Sequence, residues 1–248
     1  MLNIVIPMAG RGSRFASAGY ELPKPLIDVN GKPMIEVVVR NLRSKKQQYR
    51  FIFICQNEHI EKYDLRKYLE TIAPGSVTIG IDGVTKGAAC TVLLAKDYIN
   101  SNEPLMIANS DQWVDIAIDD YLTCISDRGL DGLIMTMGAD DTKWSYAAID
   151  TEGLVTDVQE KKVISNEATV GIYNFTRGSD FCRCAEKMIA NNELSNGEFY
   201  VAPVYNYLIK EQGKIGIYNI GKEADGMYGL GIPSDLELFL NLPISERV

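Results

Sequence analysis

The sequence predicts an α/β protein with a mostly parallel sheet and helices on both faces. Three observations predict it. Short apolar runs alternate with longer amphipathic stretches through about the first 137 residues. Two runs end in loops of small and polar residues, Met8 to Phe15 and Asn109 to Asp115, where parallel strands deliver their ligand-binding ends. At 248 residues and 46% apolar content, the chain is long enough for one sizeable core.

The elements follow in order. Leu2 to Met8 is an apolar run stopped before a glycine, hence a buried strand. Pro33 to Arg43 carries Met34, Val37, Val38 and Leu42 at helical spacing, and Pro33 suits a first helical turn. Phe51 to Cys55 is the next strand, and Glu58 to Glu70 a charged amphipathic helix. Val77 to Ile81 reads as strand, Gly87 to Ile99 as helix, and Pro104 to Ala108 as a strand stopping at Asn109-Ser110-Asp111. A helix over Asp119 to Ser126 and a strand over Gly132 to Met137 close the first part. Beyond it come shorter strands at Ala147 to Ile149, Val155 to Gln159 and Thr169 to Phe175. Helices at Asp180 to Ala190 and Val201 to Lys210, a strand at Lys214 to Ile220 and a helix at Pro233 to Leu240 complete the chain. No Pro/Gly/Ser linker separates the parts. The expectation is one domain, 1–241, with halves 1–137 and about 138–241, and a tail, 242–248.

Net charge is −8, so the overall surface does not attract nucleic acid or anionic membranes, and an anion site must be local. Cys55, Cys90, Cys124, Cys182 and Cys184 form no C-x-x-C pair, and His59 is the single histidine, so a zinc site is not expected. An odd cysteine count and a start without a basic n-region give the expectation of reduced thiols and a cytoplasmic address. No apolar run reaches spanning length.

Residues 8–15, MAGRGSRF, follow the first strand directly. Gly10 and Gly12 bring backbone N–H groups close to a ligand, and Arg11 and Arg14 suit an anion. Phe15 stands where a dinucleotide fingerprint needs its third glycine, and the G-K-[ST] of a P-loop is absent. Alone, the loop fits a tight strand-to-helix turn equally. The next stretch, LPKPLIDVNGKPMI, adds Lys24 bracketed by Pro23 and Pro25. Proline fixes φ and restricts its predecessor, so this lysine loses less freedom on meeting an anion.

GRGSRF followed by LPKPLIDVNGKPMIE resembles the signature of the sugar-phosphate nucleotidylyltransferases, the pyrophosphorylases that make nucleotide sugars and related activated head groups. Lys86-Gly87-Ala88-Ala89 is similar to that family's base-recognition segment, and Asn109-Ser110-Asp111 to its strand-end metal aspartate. Trp144-Ser145-Tyr146-Ala147, Glu160-Lys161, the Thr169 to Phe175 strand, Gly197-Glu198-Phe199-Tyr200 and Leu230 to Asp235 are similar to later blocks, so the resemblance runs from about residue 2 to 241. It implies a Rossmann-like mixed, mostly parallel sheet flanked by helices, the nucleotidyltransferase (GT-A-like) fold, with a nucleotide half and an acceptor half.

The resemblance also implies the chemistry. An acceptor phosphate oxygen attacks the α-phosphorus of a nucleoside triphosphate and pyrophosphate leaves, with Mg2+ as cofactor. Met8, Ala9, Gly10, Arg11, Gly12 and Ser13 cradle the nucleotide, with Arg11 as open to solvent as to phosphate. Arg14 grips the leaving pyrophosphate and Lys24 meets the α-phosphate. Asp111 holds the metal, although Asn-Ser-Asp after a strand also suits an Asx turn. Gly87 and Ala88 offer backbone groups to the base, and Tyr146, Glu160, Lys161 and Gly171 meet the acceptor. Asp140, Asp141, Trp144 and Glu198 add acidic and aromatic surface to the acceptor side.

One departure stands out. The family often places a second metal carboxylate just before the final L-G-x-P block, where this chain has Gly229. That leaves Asp111, phosphates and water, with Asp225 the candidate second carboxylate. Asp82 stands near where thymidylyl and uridylyl relatives carry glutamine. An ionised carboxylate only accepts hydrogen bonds, which suits the exocyclic amine of cytosine and favours CTP, unless Asp82-Gly83 is merely a turn. The compact chain and overall pattern resemble capsule-biosynthesis cytidylyltransferases acting on phosphoglutamine or another non-sugar phosphate. The alternatives are a UTP- or dTTP-using transfer to a hexose 1-phosphate and a catalytically silent nucleotide-binding homologue. No nucleic-acid or membrane partner is expected, and monomer or homodimer stays open.

Overall fold

A computed structural model describes residues 1–248. Its first part runs β1 (Leu2–Pro7), α1 (Ser13–Ser17), the two-residue strands β2 (Asp28–Val29) and β3 (Lys32–Pro33), α2 (Met34–Asn41) and β4 (Tyr49–Gln56). It continues through α3 (Asn57–Lys62), α4 (Leu65–Ile72), β5 (Val77–Ile81), α5 (Ala88–Leu93), α6 (Lys96–Ile99), β6 (Leu105–Ala108), β7 (Gln112–Val114), α7 (Ile118–Asp127) and β8 (Gly132–Gly138). The second part holds β9 (Ser145–Ile149), β10 (Val155–Glu160), β11 (Glu167–Phe175), α8 (Gly178–Ala190), α9 (Tyr205–Lys210), β12 (Ile215–Glu223), β13 (Gly226–Gly229) and α10 (Pro233–Leu240).

One sheet, ordered β5-β4-β1-β6-β11-β8-β12-β13-β7 with β9 and β10 alongside β11, runs through both parts. The β5-β4-β1-β6 section is parallel throughout, as the alternating pattern predicts. β11 enters antiparallel between β6 and β8, and β13 pairs antiparallel with β7, which makes the sheet mixed. Apolar clusters cover both faces. Ile4, Ile6, Phe51 and Phe53 face α2 and α4, while Val5, Ile52, Ile54 and Ile107 face α5 and α8. The alternation follows from side chains of successive strand residues pointing to opposite faces.

Several expected elements are subdivided. The helix expected over Glu58 to Glu70 breaks at Tyr63-Asp64, where Asp64 takes the left-handed φ of 48°. The helix over Gly87 to Ile99 is two short ones. Residues 242–248 do not leave the body: Asn30 donates to the Ser245 carbonyl at 2.7 Å, and Arg247 pairs with Asp115 at 2.7 Å. All five cysteines are free, and no helix is long and apolar enough to cross a membrane.

Candidate active site

The carboxyl ends of β1, β5 and β6 gather three loops. The first, residues 8–13, leaves β1 with Met8 and Ala9 buried and Gly10 exposed, and turns into α1 through Gly12 at φ 60°. A left-handed φ favours glycine, and a Cβ at this position would lie 3.2 Å from the Lys24 Cβ. The loop therefore rests directly on Lys24. Lys24 opens a single turn, Lys24–Leu26, with Pro23 extended before it and Pro25 buried after it. The prolines thus hold the lysine as the sequence predicts.

Lys24 Nζ donates to Asp111 Oδ2, joining two residues 87 positions apart. Both side chains keep about a quarter of their surface accessible, so the pair is screened only in part and open to exchange. Arg11, Lys24 and Lys62, together with Glu21 and Glu58, line a cavity of about 180 Å³ beside this loop. Arg11, which the sequence left between solvent and phosphate, shares this cavity with Lys24. Arg14 is exposed in the first turn of α1 and has no ion-pair partner. Ser13 is exposed beside it.

A second cavity, about 230 Å³, is lined by Ala9, Gly10, Ile81, Thr85, Gly87, Ala88 and Glu198. Gln56, at the end of β4, ties the two neighbouring loops together by donating through Nε2 to the carbonyls of Ala9 and Gly83. Asp82 sits at its edge, accepting from Asn57 Nδ2 at 2.9 Å, and does not line it. The single charged lining group is Glu198. It arrives on the 195–200 loop of the second half, which docks through Phe199 N–H to Lys86 C=O at 2.8 Å and Ala89 N–H to Phe199 C=O at 3.0 Å. Gly87 permits this: its φ is 122°, and a Cβ would fall 2.5 Å from the Phe199 carbonyl oxygen. Gly87→Ala is therefore expected to push the loop away, costing about 2 kcal/mol and lowering Tm by roughly 4–8 °C. A thermal melt checks this; an unchanged Tm would show that the docking is dispensable.

Across the cleft, Lys161 Nζ donates to the Tyr200 hydroxyl at 3.3 Å and lies 5.5 Å from the ring centroid. Lys161 takes a left-handed φ of 54°, and its N–H donates to the Trp144 carbonyl at 3.1 Å. Glu160 accepts from the Ser145 hydroxyl. Burial pushes the Glu160 carboxyl above its ordinary range; Ser145 and Lys161 work against the rise, and nearby Glu198 adds to it. Gly171 is buried at a bulge of β11 with φ 85°, and a Cβ there would collide with Asn109 Nδ2 at 2.1 Å. It thus lets β11 approach the strand end that carries Asp111.

Two expectations are corrected. Tyr146 is a core residue with no accessible surface, and its hydroxyl donates to the Asp141 carbonyl at 2.7 Å. It shapes the 141–145 loop and presents no side chain to an acceptor. Asp225 does not reach Asp111. It lies in the exposed turn before β13, 3.9 Å from Lys222, at the opposite end of that strand from Gly229. Four strand residues at about 3.3 Å each put it roughly 13 Å from the position it was to serve. The space a side chain at 229 would enter holds Asp235 instead, its Oδ2 3.2 Å from an ideal Cβ. Gln56 and the closing role of Glu198 were missed because they depend on contacts between segments far apart in sequence, and Asp235 because it reaches Gly229 only across the turn into α10.

The donor set fits a hard divalent cation. Asp111 offers carboxylate oxygens that already attract an ammonium group. Gly231 leaves them room, since a Cβ there would lie 2.6 Å from Asp111 Oδ2. No group of three or more His, Cys, Asp or Glu is assembled. Mg2+ retains waters and shares its shell with phosphates, so few protein ligands suffice. A larger opening of about 490 Å³ lies between α2, Trp113 and the C-terminal turn. Two of its arginines are already engaged, Arg40 by Glu36 and Arg247 by Asp115, and neither Lys24 nor Asp111 lines it.

A family model described as nucleotidyl transferase matches residues 4–195. The bifunctional protein GlmU of Desulfotalea psychrophila is 28% identical over 250 residues, covering 96% of this chain and 68% of that protein. A mannose-1-phosphate guanyltransferase of Schizosaccharomyces pombe is 25% identical over 179 residues, covering 69% of this chain and 49% of that protein. The chain spans about half to two thirds of the length of the curated relatives it matches. Among solved structures, a nucleoside-diphosphate-sugar pyrophosphorylase from Vibrio cholerae superimposes with TM-score 0.81 at 25% identity, covering 96% of this chain and 100% of that one. The inositol-1-phosphate CTP transferase from T. maritima shares the fold with TM-score 0.74 at 14% identity, covering 98% and 93%.

Proposed function

The chain belongs to the nucleotidyl transferase family, and we propose that it transfers a cytidylyl group from CTP to a phosphorylated small molecule, releasing pyrophosphate. The observation that carries this reading is the meeting of Lys24 and Asp111 between two glycine-bearing loops. Opposite charges at one mouth suit a substrate that brings both phosphates and a cation.

The reaction needs no protein nucleophile. An acceptor phosphate oxygen forms a bond to the α-phosphorus, the bond from that phosphorus to the pyrophosphate oxygen breaks, and the departing oxygen keeps its electron pair. Backbone N–H groups of Gly10 to Ser13 hold the triphosphate, with Arg11 and Arg14 on its outer phosphates. Lys24 moves from Asp111 to the α-phosphate, where negative charge builds. Asp111 would hold Mg2+, which would supply neutralisation of phosphate charge. Lys161 holds the acceptor phosphate in line, and the strained backbone there fixes the direction of its side chain.

Two acceptor-only groups border the base cavity, Asp82 at its edge and Glu198 on its wall, and both suit the amine of cytosine. On the acceptor side, Glu160, Glu198 and the Tyr200 ring stand around Lys161. Carboxylates and an aromatic face attract an amine-bearing acceptor, which favours phosphoglutamine or another amino-phosphate, in capsule or surface-polysaccharide supply, over a neutral hexose phosphate. Dependence on nucleoside triphosphates and five free cysteines fit a cytoplasmic address. Asp82→Gln, which adds a donor, is expected to lower the CTP-over-UTP ratio of kcat/KM about tenfold. Initial rates of pyrophosphate release with the two nucleotides test it. An unchanged ratio removes Asp82 from base reading and leaves Glu198 alone in that role.

A further inference from the structure

We propose that Asp235 supplies the second carboxylate for the divalent cation at Asp111, standing in for the side chain that Gly229 lacks. The inference rests on the metal-dependent transfer reading and names a residue that the reading leaves unassigned.

The local backbone brings the two carboxylates together. Tyr228 and Leu230 point into the apolar cluster of Phe15, Trp113 and Phe239. Side chains alternate along an extended segment, so positions 229 and 231 face the other way, on one side. Both are glycines. A Cβ at 231 would meet Asp111 Oδ2 at 2.6 Å, and a Cβ at 229 would meet Asp235 Oδ2 at 3.2 Å. The two carboxylates thus stand over neighbouring same-side positions of one strand end. Leu230 N–H donates to the Asp111 carbonyl at 2.8 Å and fixes that register.

Asp235 is a carboxylate without a cation. It is half-buried in the first turn of α10 and makes no ion pair. The nearest candidate, Lys143, is bound to Glu223 at 2.9 and 3.0 Å. With Lys24 bound to Asp111 and no lysine bound to Asp235, the two carboxylates leave room for a further positive charge.

An independent observation points to the same place. Gln112 is 93% buried (7% exposed), and its Nε2 has no hydrogen-bond partner. It is the residue directly opposite Gly229 in the β13–β7 ladder, so its side chain leaves the sheet on the face where Gly229 opens. A buried amide donor left unpaired calls for an oxygen beside it, from a phosphate or from water around a cation.

Mn2+ binding tests the proposal without turnover. Mn2+ is titrated into the full chain, alone and with inorganic pyrophosphate, and free Mn2+ is read by electron paramagnetic resonance. Pyrophosphate makes the result independent of the base. Asp235→Asn is expected to weaken Mn2+ binding about tenfold or more, and Asp225→Asn to leave it unchanged. Gly229→Asp placed in the Asp235→Asn background is expected to restore most of the affinity, because the carboxylate returns from the strand. Asp235→Asn binding Mn2+ as the parent does overturns the proposal. So does a loss that Gly229→Asp fails to recover in a folded protein, which assigns Asp235 to holding α10. Asp111→Asn with undiminished binding overturns it too, by removing the cation from this site. If Asp111 and Asp235 both prove necessary for Mn2+ while no triphosphate yields pyrophosphate, the transfer reading fails and this assignment stands.

Discussion

Replacing Lys24 by alanine is expected to lower kcat about 10²–10³-fold while changing nucleotide affinity only a few-fold. The asymmetry follows from the Lys24–Asp111 pair. Lys24 is not waiting in solvent; it is paired with Asp111. Moving it to the α-phosphate exchanges one ionic contact for another, so ground-state binding gains little. The gain appears when charge grows on the α-phosphoryl oxygens in the transition state. Pro23 and Pro25 hold the turn that carries the ammonium, so Arg at this position, with a different shape and reach, is not expected to restore the rate. Single-turnover pyrophosphate release with calorimetric nucleotide binding separates the two quantities. An alanine variant with parental kcat would remove Lys24 from the reacting centre.

Asp111→Asn is expected to abolish Mg2+-dependent turnover, a loss of at least about 10³-fold. Asparagine is the informative choice. It keeps the shape and the capacity for an Asx turn after β6, so the fold has no reason to fail, and only the charge is removed. It also takes from Lys24 its anionic partner. A parental melting temperature with lost turnover is the expected pairing of results. Parental turnover would place the cation elsewhere and reduce Asp111 to a turn residue.

The parts of the fold legible in sequence were those written in local patterns. The strands Leu2–Pro7, Val77–Ile81 and Leu105–Ala108 are largely apolar runs stopped by glycine, aspartate or asparagine. The nucleotide loop and Lys24 announced themselves through glycine spacing and flanking prolines. β7 and β13 were not legible: they are three and four residues long, and β13 is half glycine. They exist because they pair with each other across more than a hundred residues. The break at Asp64 escaped for a related reason, since charge periodicity continues through it while the backbone turns. In the site, Tyr146 was expected as an acceptor contact because Trp144-Ser145-Tyr146-Ala147 resembles the family's acceptor-lining segment. Only the packing shows its hydroxyl consumed inside the 141–146 loop. At Gly229 the chain lacks the carboxylate that the resemblance implies, and its neighbour in space is Asp235, six residues downstream across a turn into α10. A search confined to nearby acidic residues found Asp225 on the wrong end of the strand.

The central claim is transfer of a cytidylyl group to a phosphorylated, amine-bearing acceptor. The most direct measurement is pyrophosphate release with Mg2+ from each of four triphosphates, paired with hexose 1-phosphates, phosphocholine, phosphoethanolamine and phosphoglutamine. The expected result is release with CTP and a non-sugar amino-phosphate, and little with any other pairing. Release with UTP or dTTP and a hexose 1-phosphate would contradict both the base and the acceptor assignments, and silence across every pairing in a protein that binds nucleotide would contradict catalysis by this chain.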